Sequence, residues 1–126
     1  MDDKRKIKRR YLLYYTRVYD ASKQEQIGNL VDITPKGAMI LSPDPLPEGQ
    51  SLRLRIELSE DVSNKPHIEL PAYVKWCHPD LDPSQYDIGF EFAEISPEDV
   101  AIIENIINTY GFRDNEPNIS SATTQE

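Results

Sequence analysis

Residues 50–58 read QSLRLRIEL, and their alternation decides the fold class. Leu52, Leu54, Ile56 and Leu58 fall on one side of an extended chain, and Arg53, Arg55 and Glu57 on the other. A period of two is the signature of a strand with one buried and one wet face. Working outward, 68–77 (IELPAYVKWC) and 86–92 (YDIGFEF) read as further strands, the latter with Ile88, Phe90 and Phe92 on one face. Pro71 confines its strand to an edge or a bulge, because proline gives nothing to a ladder. Upstream, 11–20 (YLLYYTRVYD), 25–33 (EQIGNLVDI) and 38–41 (AMIL) are rich in β-branched and aromatic residues. Gly28 marks a bulge or a close backbone approach. Residues 21–24 (ASKQ) and 34–37 (TPKG) supply turns, and 42–49 (SPDPLPEG) and 59–66 supply loops.

One helix follows the last strand. Ser96 is its N-cap, Pro97 its first residue, and Glu98 and Asp99 suit its positive end. Val100, Ile103, Ile106, Ile107 and Tyr110 form its apolar stripe, and Gly111 stops it. Six short strands and one terminal helix predict a mainly β protein, a six-stranded antiparallel barrel with a C-terminal α-helix. The organisation expected is a flexible basic arm over 1–10, barrel and helix over 11–112, and a disordered tail over 113–126.

The chain has 126 residues, enough for one domain with one core. No stretch approaches the ~20 apolar residues of a membrane span. The opening MDDKRKIKRR lacks the apolar centre of a secretory signal, and a single cysteine permits no internal disulfide. A cytoplasmic protein without membrane insertion is expected. The formal net charge is −8, but residues 1–17 carry +5 and the remainder −13. A short basic arm on an acidic body suits a small concentrated anion better than nucleic acid, which favours a broadly basic surface. Arg53 and Arg55 are the only basic pair on a strand, too little for a single-stranded nucleic-acid groove.

Two short motifs stand at the ends of the first half. Arg5-Lys6-Ile7-Lys8-Arg9 is R-x-x-x-R, just before the first strand, and Asp32-Ile33-Thr34-Pro35-Lys36-Gly37 is D-x-[S/T]-x-x-G, at a strand-to-strand turn. Their order and spacing, with VKW at 74–76, YDIGFEF at 86–92 and the helix behind, resemble the PilZ domain family over roughly residues 4–111. The family's members bind the bacterial second messenger cyclic di-GMP. The resemblance departs at Thr34, where the family usually has serine. It also leaves two registers open, because Lys6 and Arg10 repeat the spacing of Arg5 and Arg9.

The residue types fit that ligand. An arginine fork satisfies guanine O6 and N7 together and pairs with phosphodiester oxygens. An ionised Asp32 is acceptor-only and suits the guanine N1–H and N2–H₂ edge. Thr34 adds a hydroxyl, and Gly37 brings backbone close through a φ that other residues avoid. The resemblance therefore implies a cyclic di-GMP site of Arg5, Arg9, Arg10, Asp32, Thr34 and Gly37. Lys4 and Trp76 are additional candidates.

The implied protein is a receptor, not an enzyme, with no cofactor beyond the ligand. It would be a monomer or weak homodimer that relays binding to an effector protein controlling motility, adhesion or biofilm. The alternative is a ligand-independent adaptor of the same family acting through protein contacts alone. Metal binding is not expected, because Cys77 and His78 would face opposite sides of a strand and no paired ligand spacing joins them to His67.

Overall fold

A computed structural model of the chain describes residues 16–110. Six strands occupy Arg17–Asp20 (β1), Glu25–Thr34 (β2), Gly37–Ser42 (β3), Ser51–Glu57 (β4), His67–Pro79 (β5) and Tyr86–Phe92 (β6), and a helix spans Pro97–Tyr110 (α1). The strands pair antiparallel into a closed barrel in the order β1-β2-β3-β6-β5-β4. The barrel and helix expected from the alternation are therefore present. The parts of that expectation that concern residues 1–15 and 111–126, including the upstream half of the first strand, the arm, Gly111 and the tail, lie outside the described residues.

Register explains the packing. Leu30, Ile40, Ile88 and Cys77 are successive cross-strand partners on β2, β3, β6 and β5, and so are Ile33, Ala38, Phe90 and Val74. Both rows point inward, and Leu30, Ile40 and Ile88 are wholly buried. From the other side Val18, Leu54, Ile56, Ile68 and Leu70 close the same core. The alternation read in 50–58 holds: Leu54 and Ile56 are buried, while Arg53 is exposed. Arg53 Nε pairs with Glu69 Oε1 at 3.0 Å, and the Arg55 guanidinium lies 5.3 Å from the Tyr19 ring centre.

The Ser96 hydroxyl accepts the Asp99 N–H at 3.1 Å, capping α1 as expected. The helix buries Ile102, Ile103, Ile106 and Ile107, so its stripe sits one residue round from the one expected and leaves Val100 half-exposed. The shift follows from the β4–β5 loop, where Val62 is buried in the same cluster and its carbonyl accepts the Asn105 amide at 3.3 Å. Packing against both barrel and loop widens the buried face.

Pro71 corrects the expectation of an edge strand. Its strand, β5, lies between β4 and β6 in a barrel without edges, and the β5 irregularity falls at Val74–Trp76 instead. The Pro71 carbonyl accepts the Ala93 N–H at 2.8 Å, so its nitrogen also faces the region just past the end of β6. The missing donor falls where the ladder has already finished.

Candidate functional site

The D-x-T-x-x-G segment forms the β2–β3 hairpin. Thr34 and Gly37 are the last paired residues, and only Pro35 and Lys36 lie between them. The Thr34 hydroxyl accepts the Lys36 N–H at 3.1 Å, a turn-stabilising bond of the kind short polar side chains make to the backbone two residues on. The Lys36 carbonyl accepts the Phe92 N–H at 2.9 Å and so ties the turn to the end of β6.

Gly37 is required for a different reason from the one expected. Its φ is not in the left-handed region, where Gly49 is the one glycine among the described residues. A Cβ at Gly37 would instead run into the Phe90 carbonyl oxygen, a backbone atom that cannot rotate away. Gly37→Ala is expected to destabilise the barrel by about 1–3 kcal/mol, as overpacking does, measured by urea unfolding.

Asp32 sits beside a register shift between Leu30 and Asp32 and is half-buried. Its Oδ1 accepts the Ile33 N–H at 2.9 Å, which fixes the carboxylate, while Oδ2 has no partner among the described residues. Asp32 pairs with Met39, Met39 with Gly89 and Gly89 with Trp76, so one outward row crosses β2, β3, β6 and β5. Directly opposed residues share a face. Asp32 and Trp76 therefore stand on the same outer surface, three strand spacings of roughly 4.8 Å apart. The next row toward the turn runs Gly37, Glu91, Tyr73.

A cleft of about 760 Å³ opens between the turn and β6, lined among others by Thr34, Lys36, Gly37, Lys75 and Glu91. Lys75 Nζ lies 3.1 Å from Glu91 Oε1. That ammonium, and then the Tyr73 hydroxyl that also donates to Glu91, hold the Glu91 carboxyl below its ordinary value, and the Glu91 carboxylate in turn pushes the Tyr73 phenol up. The sign follows: a carboxyl lowered in the folded state stabilises above the ordinary glutamate range and loses that contribution as pH falls through the folded value. Lys75→Met is expected to return the Glu91 midpoint toward the ordinary glutamate value, read by carbon NMR of the carboxyl.

The position of Thr16, where the described residues begin, is also defined. The Thr16 carbonyl accepts the Leu30 N–H at 2.9 Å, immediately beside the shift that carries Asp32. Because β1 and β2 are antiparallel, Thr16 stands across from Leu30, two residues before Asp32. Lys4, Arg5, Arg9 and Arg10 themselves lie outside the described residues.

Of the expected residues, Asp32, Thr34, Gly37 and Trp76 are thus brought to one surface. Met39, Gly89, Lys75 and Glu91 join them unannounced. Gly89 alone left a trace in the sequence, as a small residue at an outward position of YDIGFEF. Cys77 faces the core and His78 is exposed, as their adjacency requires, and no group of three or more potential metal ligands occurs among the described residues. Nor is any described helix long and apolar enough to cross a membrane.

The family model described as PilZ domain matches residues 3–109. Among solved structures, the Bacillus subtilis inhibitor of motility (MotI/DgrA) superposes with a TM-score of 0.58 and 26% identity, over 75% of this chain and 45% of its own. This chain therefore spans less than half the length of that protein. The PilZ domain of YcgR from Escherichia coli, solved with cyclic di-GMP, superposes with a TM-score of 0.55 and 14% identity, over 79% of this chain and 84% of its own. At that identity the likeness concerns the fold alone. No curated protein matches the sequence significantly. The motif order, the closed barrel with its C-terminal helix, and a family match over nearly the whole length give one answer: the chain belongs to the PilZ domain family.

Proposed function

We propose that this protein is a non-enzymatic cyclic di-GMP receptor of the cytoplasm, with the ligand held between the basic arm and the outer face of β2, β3, β6 and β5. The observation that carries the reading is the Thr16–Leu30 bond, which seats Thr16 two residues from Asp32 and supports an arm within reach of it. A fully extended chain covers ~3.3–3.6 Å per residue, so the segment from Thr16 back to Arg9 has ample reach across the Asp32–Trp76 row.

In this reading Arg5, Arg9 and Arg10 hold phosphodiester oxygens and a guanine Hoogsteen edge. The Asp32 Oδ2, without a partner among the described residues, accepts from a guanine N1–H and N2–H₂ edge. Thr34 and Gly37 shape the turn that brings Asp32 to the ligand, and Lys4 adds charge at the arm. Ordering the arm costs conformational entropy that the charge-assisted contacts must offset. The acidic body then disfavours longer polyanions while the arm captures a compact one.

Two likenesses support the ligand and the output: the Escherichia coli domain was solved with cyclic di-GMP, and the Bacillus subtilis protein is named for inhibiting motility. Binding would be relayed to an effector protein in control of motility, adhesion or biofilm. Titration calorimetry with cyclic di-GMP tests the reading. Saturable heat at micromolar ligand is expected, and no heat at tens of micromolar ligand in low salt overturns it.

A further inference from the structure

Lys75 is the extra residue of the β5 irregularity: Val74 opposes Phe90 and Trp76 opposes Gly89, with Lys75 left between them. Bulges of this kind re-aim side chains. Here the exposed lysine lines the 760 Å³ cleft together with the Thr34–Gly37 turn. Four charged side chains line that cleft, Lys36, Lys75, Glu91 and Glu94, and their charges cancel. Lys75 Nζ is held by Glu91 Oε1 at 3.1 Å, whereas Lys36 has no ion-pair partner among the described residues.

The Lys75–Glu91 pair is built to be exchanged. With 63% of the lysine side chain and 40% of the glutamate exposed, it is the kind of ion pair that stabilises a fold little. Glu91 also has a second partner, because the Tyr73 hydroxyl donates to the same carboxylate. Removal of the ammonium therefore leaves Glu91 hydrogen-bonded, and an incoming anion displaces it at small cost. We propose that Lys75 is a further binding residue for cyclic di-GMP, exchanging the Glu91 carboxylate for a phosphodiester oxygen that Lys36 meets from the turn side. The inference rests on the cyclic di-GMP reading and adds a phosphate contact supplied by the barrel. The ligand carries two phosphodiesters, so one can lie on the arm arginines while the other enters the cleft. Glu94 repels phosphate from its own wall and favours a seat between the two lysines.

The test is a titration of the full chain with cyclic di-GMP at several salt concentrations, followed by calorimetry. Lys75→Met is expected to raise Kd about tenfold, the scale of one lost charge-assisted hydrogen bond. Its Kd should also depend less steeply on salt, because one screened contact is gone. Lys75→Arg keeps the cation and is expected to bind within about threefold of wild type. Glu91→Gln removes the competing carboxylate and is expected to lower Kd by about two- to threefold. A second readout follows the exchange itself. Saturating ligand is expected to raise the Glu91 carboxyl midpoint of wild type toward the ordinary glutamate range, read by carbon NMR.

Because Lys75 is exposed, its variants are expected to keep the wild-type unfolding midpoint. Wild-type affinity and salt dependence in Lys75→Met overturn the contact while leaving the receptor reading intact. Weakened binding by Lys75→Met with a Glu91 midpoint that ligand does not move in wild type overturns the exchange. Absence of any calorimetric binding by wild type overturns the receptor reading and the contact with it.

Discussion

Arg9→Ala is expected to weaken cyclic di-GMP binding by about 100-fold or more while leaving the unfolding midpoint unchanged. Two charge-assisted hydrogen bonds of ~1.5–3 kcal/mol each are at stake, enough for that factor. The loss should shrink at high salt, since the contacts of an exposed arm are screened. Calorimetry on matched variants also decides the register. If Arg5 and Arg9 are the operative pair, Arg5→Ala falls with Arg9→Ala and Lys6→Ala binds nearly as wild type. If Lys6 and Arg10 are, the order reverses. Undiminished binding by Arg5→Ala, Lys6→Ala, Arg9→Ala and Arg10→Ala alike would remove the arm from the site.

Ile40→Ala carries the largest expected cost to the fold. Ile40 is wholly buried between Leu30 and Ile88 in the middle of an inward row. Truncating such a side chain removes buried apolar surface and leaves a cavity, at about 2–5 kcal/mol. In a domain near this size each kcal/mol moves Tm by ~4–8 °C, so a fall on the order of 10–25 °C is expected by calorimetric scanning. Met39 provides the contrast. One residue away, it points outward, and Met39→Ala should change stability by no more than about 0.5 kcal/mol. Equal losses at both positions would contradict the register of β3.

These two predictions draw on information that was unequally visible in the sequence. The strands with one wet face, such as Ser51–Glu57 and Tyr86–Phe92, announced themselves because alternation is a local property. The helix did so as well, through Ser96, Pro97 and its isoleucines. The pairing of β3 with β6 and of β1 with β4 was not readable, because closure is a long-range matter and every strand here is similarly apolar. Pro71 misled for the same reason: its tolerance depends on where β6 ends, not on its own neighbours.

The site divides likewise. Asp32, Thr34 and Gly37 were legible as a motif. Gly37 earned its place by proximity to Phe90 and not by its φ, which no sequence pattern distinguishes. The row from Asp32 to Trp76 was hidden, because register shifts at Leu30–Asp32 and Val74–Trp76 change which residues share a face. Each shift reverses the parity that a reader of alternation relies on. The charge division between the first 17 residues and the rest was visible at once and supports the same surface.

The closed order of the six strands has one further consequence, for how a signal leaves the molecule. Every strand has a neighbour on both sides, so the barrel exposes no edge along which a second polypeptide can lengthen the sheet. Partner recognition by main-chain pairing, the most sequence-tolerant way for proteins to join, is closed to the barrel. A partner of the barrel must therefore read side chains or the helix.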